Sequence, residues 1–424
     1  MQPHPPEPSG TPLPRRRIAL VVQRYGVEIN GGAELQARQV ALRLAERHDV
    51  EVLTSCALDY TDWAMHYAPG LHEVEGIRVR RFEQPLRNDI GRARVPRPHK
   101  LRYKTRKLLS LLPGSRVAHP RGDPEYDGDN FLRRQGPHCP GLLEHLVSHR
   151  ADYDAAVFFT ALYEPTAQGL LAWGPRSLLI PELHEEKAMY LPIFHRVFAA
   201  AGRILYNTPA ERLLASGLYG TAPEAGDIAG LGIDVERPPP EAIESARTRL
   251  GLPARYLVYV GRIDTAKGCD ELLLAFHELA REQPDIALVL VGQRFMAFDS
   301  DPRIHATGFI AEADRDAVVA GALALVVPSR YESLSMVLLE AMRLGVPVIA
   351  NAHSQVLADH VTHSRGGRAY RSRGELVAAM RQLTLATPAE RDALGSAGRT
   401  YVDAHYTWPR VMALYSTALQ RIAA

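Results

Sequence analysis

Short β-branched runs alternate with helical stretches along this chain, and the alternation starts twice. The first series opens with Ile18-Ala19-Leu20-Val21-Val22, a run without polar alternation, followed by a glycine-containing loop, a helical pattern over 33–47 and a second strand-like run over 50–54. A β-loop-α-β order predicts parallel strands joined by a right-handed crossover. Apolar runs recur at 155–159, 177–180, 203–206 and 227–231, with helical stretches such as 192–200 and 209–216 between them. Glu236-Arg237-Pro238-Pro239-Pro240 then breaks the pattern, and its prolines predict an interdomain linker. Beyond it the alternation restarts: strands over 256–260, 287–291, 324–327 and 346–350, with helices over 270–282 and 336–344.

The predicted fold is therefore α/β, two Rossmann-like doubly wound domains facing across a cleft. Residues 16–236 form the first domain and 241–405 the second. A tail over 1–15 holds six prolines, and an amphipathic helix over 408–424 packs back on the first domain. A length of 424 residues suits two such domains better than one core. Open α/β sheets take ligands at the C-terminal ends of their strands, so the loops after strands are where function is sought.

Composition excludes several classes. The first seventeen residues, six prolines followed by Arg15-Arg16-Arg17, show no apolar stretch between the basic residues and any cleavage-like site, which argues against a signal peptide. The longest apolar run, 317–327, falls far short of the ~20 residues that span a bilayer. Cys56, Cys139 and Cys269 are widely separated and show neither disulfide nor metal spacing, which fits a reducing cytoplasm. A net charge of +2 says nothing about nucleic acid or membranes as partners, because such signals live in the distribution of charge; no nucleic-acid partner is expected. One segment is unbalanced: residues 87–107 carry nine Lys or Arg against Asp89 alone, interleaved with leucines towards 113. It reads either as a peripheral contact with anionic lipid, presenting a lipid-linked acceptor, or as a solvated insertion.

Three loops carry the chemistry. In Gln23 to Glu34, Gly31 and Gly32 stand at a helix start, where backbone approaches a ligand closely and free amides favour an anion. Their spacing is not G-x-G-x-x-G, which disfavours a dinucleotide oxidoreductase. In Val260 to Gly268, Arg262 and Lys267 sit between a strand and a helix, placed to hold a diphosphate by a fork and a point charge. In Pro328 to Val348, Glu332 precedes a helix whose first turn offers the amides of Ser335, Met336 and Val337 to a phosphate. Glu340 lies within that helix among Leu338, Leu339, Ala341 and Met342, where a carboxylate needs a partner.

Glu332 and Glu340 with seven residues between them, together with the other two loops, resemble the retaining glycosyltransferases of the GT-B fold, family 4. The resemblance implies that Glu340 binds the donor ribose and that Glu332 sits beside the transferred sugar. It further implies that Arg262 and Lys267 neutralise the donor diphosphate while Gly31 and Gly32 cover phosphates and sugar. The first domain then binds the acceptor, a glycan or lipid-linked molecule, and the second a nucleotide-diphosphate sugar, a co-substrate, with no cofactor. Two departures stand out. The family's Gly-Phe-Gly after the first glutamate reads Ser333-Leu334-Ser335, and the frequent histidine after the strand over 155–159 is missing from Thr160-Ala161-Leu162-Tyr163. His184, in Pro181-Glu182-Leu183-His184-Glu185-Glu186, is the nearest substitute; it reads as a catalytic or acceptor-side group, or as a structural histidine.

The implied reaction is hexosyl transfer with retention. No Asp-x-Asp triplet lies in a loop placed to hold a metal with the phosphates, so activity without a divalent cation is expected. A sugar-nucleotide epimerase or glycan phosphorylase shares the architecture. A degenerate transferase acting as a partner subunit in glycan assembly is the non-enzymatic alternative.

Overall fold

The structure, a computed structural model, describes residues 14–29, 31–86, 128–222 and 225–423. The basic segment 87–107 lies outside them. The chain forms two compact units. Unit 1 comprises Met1–Pro181, Lys187–Ile204 and Thr417–Ala424; unit 2 comprises Glu182–Glu186 and Leu205–Ser416.

The first sheet is built from β1 (Arg17–Val21), β2 (Asp49–Ser55), β3 (Gly70–Val74), β4 (Ile77–Phe82), β5 (Ala155–Phe159), β6 (Ser177–Ile180), β7 (Arg203–Tyr206) and β8 (Gly226–Ile228), in the order β3-β4-β2-β1-β5-β6-β7-β8. β1 pairs in parallel with β2 on one side and β5 on the other, with Ile18 opposite Val50 and Ala155. Ile18, Leu20, Val52, Val157 and Leu179 are fully buried, as strands covered on both faces require. β3 and β4 form an antiparallel hairpin that the apolar pattern does not predict. Its turn puts Glu75 and Gly76 both at positive φ, the two-residue geometry that matches strand twist. α1 (Gly32–Ala45) packs on β2, and α2 (Asp129–Gln135), α3 (Pro140–Ser148), α4 (Glu164–Trp173) and α5 (Pro192–Ala200) complete the described helices of unit 1.

The second sheet, in unit 2, has the order β11-β10-β9-β12-β13-β14, all parallel: β9 (Tyr256–Val260), β10 (Ala287–Val291), β11 (Ile304–Gly308), β12 (Ala324–Val327), β13 (Val348–Asn351) and β14 (Gly367–Tyr370). α6 (Pro209–Tyr219), α7 (Pro240–Arg249), α8 (Cys269–Glu282), α9 (Glu312–Ala320), α10 (Met336–Arg343), α11 (Gln355–Ser364), α12 (Arg373–Leu385) and α13 (Pro388–His405) belong to the same unit. Its core joins Leu257, Leu288 and Val326 from the sheet to Phe276 and Leu279 of α8 and Met380 of α12. Side-chain caps start four of these helices, from Thr208, Ser354, Ser372 and Thr387, the last a reciprocal capping box with Glu390.

Two expectations change. The prolines read as a linker at 236–240 run directly into α7, with Pro240 at its first position, where a missing amide costs the helix nothing. The strand expected over 227–231 ends at Ile228, because Gly230 turns the chain at φ 61° and the Ala229 and Gly230 amides both bond Tyr206 O. The final helix, α14 (Trp408–Ala423), is present, and the Arg16 guanidinium donates to Leu419 O within unit 1. Among the described residues no helix is long and apolar enough to cross a membrane.

Candidate active site

The loop between β9 and α8 is tied by one carboxylate. Asp264 accepts from Arg262 Nε at 2.8 Å through one oxygen and from the Lys267 amide at 2.7 Å through the other, and Tyr259 OH donates to Arg262 O at 2.6 Å. Gly268 then turns at φ 77° beneath Pro328; a Cβ there would stand 2.6 Å from Pro328 O. Glycine at 268 is thus required by conformation and by space. The Lys267 ammonium reaches across to Glu332 Oε1 at 2.9 Å. The two expected diphosphate cations therefore each hold a carboxylate of the same unit, Arg262 with Asp264 and Lys267 with Glu332.

The loop before α10 is pinned at both ends. Asn351, fully buried after β13, donates through Nδ2 to Pro328 O at 2.9 Å. His360 Nε2 donates to Leu334 O at 2.9 Å while its Nδ1 accepts from Tyr401 OH at 3.1 Å. Burial drives the His360 pKa down to about 4, keeping the ring neutral. Ser335 caps α10 at φ 66°, in the region where a side chain is strained, and its buried Oγ has no hydrogen-bond partner among the described residues. The helix bonds begin with Leu338 and Leu339, which both donate to Ser335 O. That leaves the first amides, from Met336 and Val337, without an acceptor among the described residues. They point out of the helix start with its positive dipole end.

Glu340 finds the partner its position demands in Arg315 of α9, 3.8 Å away. Burial pushes the Glu340 carboxyl up, with Arg315 opposing; Arg315 is shared with Asp316 and Glu312. The Glu340 side chain remains 20% exposed.

His184 belongs to unit 2, its ring 5.8 Å from that of Tyr331, the residue before Glu332. Its Nε2 is 3.4 Å from Glu186 Oε1, and burial raises the Glu186 pKa against the pull of His184. The His184 segment is anchored on both sides: Glu182 accepts from Ser333 Oγ at 2.7 Å, and the buried Glu211 accepts from the Leu183 amide at 2.6 Å. The Ser333 that replaces the family glycine thus holds the His184 loop by its hydroxyl. Unit 2 therefore gathers Arg262, Lys267, Glu332, Ser335, Met336, Val337, Glu340 and His184, whereas Gly31 and Gly32 stand in unit 1.

Gly31 there caps α1 and Gly32 is its first residue. The next turn carries Glu34, which binds Arg24 at 2.9 and 2.5 Å; both side chains are buried. Arg24 also donates to Leu58 O. Sequence reasoning missed Asp264, Asn351, Arg315 and His360. An Asp two residues after Arg262 was a readable signal; the other three act across distant segments and leave none.

Two parallel-sheet α/β units, one presenting loop cations beside a helix start and a buried carboxylate, define the GT-B class of glycosyltransferase. Solved structures agree: the chain matches Anabaena Alr3699/HepE in complex with UDP and glucose at TM-score 0.65 and 17% identity, covering 96% of this chain and 100% of that one. It matches sucrose-phosphate synthase from Thermosynechococcus elongatus at TM-score 0.64 and 20% identity, covering 96% and 99%. Residues 242–401 match the family described as Glycosyl transferases group 1. A D-inositol 3-phosphate glycosyltransferase of Saccharomonospora viridis is 32% identical over 79% of this chain and 78% of its own, and one of Mycolicibacterium gilvum 28% identical over 81% and 76%. The chain belongs to the group 1 glycosyl transferases.

Proposed function

We propose that this glycosyltransferase moves a hexose-type sugar from a nucleotide-diphosphate donor to a glycan or lipid-linked acceptor with retention of configuration and without a metal. The observation that carries the reading is the start of α10, where two unaccepted amides stand beside the Lys267–Glu332 pair. An incoming diphosphate offers Lys267 and Arg262 more charge than the single carboxylates they hold, and it satisfies the Met336 and Val337 amides. Glu340 takes the ribose hydroxyls. Glu332, released from Lys267, lies beside the sugar. Relatives named for inositol phosphate and neighbours solved with UDP support a nucleotide-sugar reaction.

In the reaction the bond from the anomeric carbon to the leaving phosphate oxygen breaks, and its electron pair stays on that oxygen. The acceptor hydroxyl oxygen bonds the anomeric carbon on the same face, and its proton passes to the leaving phosphate oxygen. Arg262, Lys267 and the helix amides stabilise the charge that develops there, a preorganised contribution of several kcal/mol in such sites. His184, oriented by Glu186, is assigned to the acceptor side.

The test is thermal stability with UDP, GDP, ADP, CDP and dTDP at a few millimolar. A nucleotide at 100 times its dissociation constant adds about 2.7 kcal/mol. One nucleotide should shift the wild type and neither Lys267→Ala nor Glu340→Ala. Absence of any shift refutes the donor assignment. An inverted product removes the same-face mechanism, and loss of activity in EDTA removes metal independence.

A further inference from the structure

At the C-terminal end of β4, Arg81 is 4% exposed. Among the described residues its buried Nη1 has no hydrogen-bond partner, and no carboxylate forms an ion pair with the guanidinium. Its contact is the ring of Tyr67, with Cζ 3.7 Å from the centroid. The ring face attracts the charge but accepts none of the five N–H donors in the guanidinium fork. A buried guanidinium nitrogen without an acceptor is unfavourable in a protein interior, and native structures keep few such groups without a reason.

The neighbours repeat the pattern. Thr54 is the register partner of Arg81 across β2 and β4, so both side chains leave the same face of the sheet. Thr54 Oγ1 is buried and without a hydrogen-bond partner among the described residues, and so is the hydroxyl of Tyr25, in the loop that follows β1. Tyr25 lies within electrostatic reach of Arg81. The one carboxylate near Arg81 in that loop, Glu28, is exposed, and its own backbone amide is the main influence that holds its carboxyl below the ordinary value. Gly26 lets the loop settle on that ring: a Cβ there would stand 2.7 Å from Tyr67 OH. A buried guanidinium nitrogen and two buried hydroxyls, each without a hydrogen-bond partner among the described residues, thus lie at or just beyond the C-terminal ends of three adjacent strands, where sheets of this kind bind ligands.

We propose that Arg81, Thr54 and Tyr25 form a binding site for a small oxyanion, the phosphate or carboxylate group of a ligand, with the Arg81 fork as its principal donor. The site stands apart from the donor cations of unit 2 and does not depend on their assignment. Its test uses the full chain carrying Arg262→Ala and Lys267→Ala, so that those cations cannot take the anion. Thermal midpoints are recorded with sodium phosphate, sodium acetate and sodium chloride at equal ionic strength. Phosphate or acetate should raise the midpoint by several degrees over chloride, and whichever does so identifies the source. The rise should vanish when Arg81→Met is added. Should that variant not fold, Arg81→Lys keeps the charge without the fork and should weaken the apparent affinity at least tenfold by calorimetric titration. Equal midpoints in all three salts, or an anion effect that survives loss of the Arg81 fork, overturns the proposal.

Discussion

Gly31→Ala tests the packing around the β1–α1 loop with opposing expectations from backbone and side chain. Gly31 has φ −88° and ψ 142°, which alanine adopts freely. On backbone grounds alone the substitution stabilises by about 0.4–1 kcal/mol through the unfolded chain. The added Cβ, however, would stand 1.9 Å from Glu34 Oε2 and 2.7 Å from its Cδ. Glu34 must move by more than an ångström, and it is not free to: its other oxygen holds Arg24 at 2.9 and 2.5 Å in a pair whose side chains are 10% and 5% exposed. Breaking a buried pair costs about 3–5 kcal/mol, and after the backbone gain a net loss of about 2–4 kcal/mol remains. At about 2–4 °C per kcal/mol for a unit of this size, the midpoint of unit 1 falls by on the order of 10 °C. Differential scanning fluorimetry reads it, with Glu34→Ala as the second arm of a double-mutant cycle. In that background Gly31→Ala should be neutral or slightly stabilising. A wild-type background that tolerates Gly31→Ala, or an equal cost in both backgrounds, would refute the steric argument.

Ser335→Gly relieves the left-handed backbone at φ 66° and should stabilise the protein by about 1 kcal/mol; an unchanged or lower midpoint means the buried hydroxyl contributes more than the strain costs. His360 is held neutral with its pKa lowered from 6.5 to about 4, so the unfolded chain binds its proton first and stability is lost as pH falls through that window. At about 1.36 kcal/mol per pH unit the loss is on the order of 3 kcal/mol. His360→Gln should flatten this part of the stability profile, and parallel profiles would contradict it. The nucleotide series on Lys267→Ala and Glu340→Ala checks the donor site, and the salt series on Arg81→Met the oxyanion site.

The parallel sheets were legible because strands buried on both faces read as unbroken apolar runs, and 155–159, 177–180, 203–206, 256–260, 287–291 and 324–327 match their strands residue for residue. The β3–β4 hairpin was not, since Gly70–Val74 is an edge strand with largely exposed side chains and no hydrophobic run to betray it. Pro239 and Pro240 misled because the same rigid φ serves a linker and a helix start. The site residues Arg262, Lys267, Glu332 and Glu340 stood out as charges beside strand ends, but what each touches did not. The pairing of Lys267 with Glu332 spans 65 positions and that of Arg315 with Glu340 joins two helices, so neither leaves a local signal. At Gly31 the sequence suggested a ligand as the reason for glycine, and the structure adds a second reason, Glu34, whose Oε2 would stand 1.9 Å from a Cβ there.

Unit 1 is discontinuous: Thr417–Ala424 belongs to it, although all of 205–416 lies between. As a chain emerges from the ribosome, the amino-terminal sheet is therefore made long before the segment whose Leu419 carbonyl takes the Arg16 guanidinium. The first unit begun is the last to be finished. Nonsense or frameshift lesions near residue 416 thus remove part of unit 1, and a fragment ending at 204 lacks the Thr417–Ala424 segment that belongs to it.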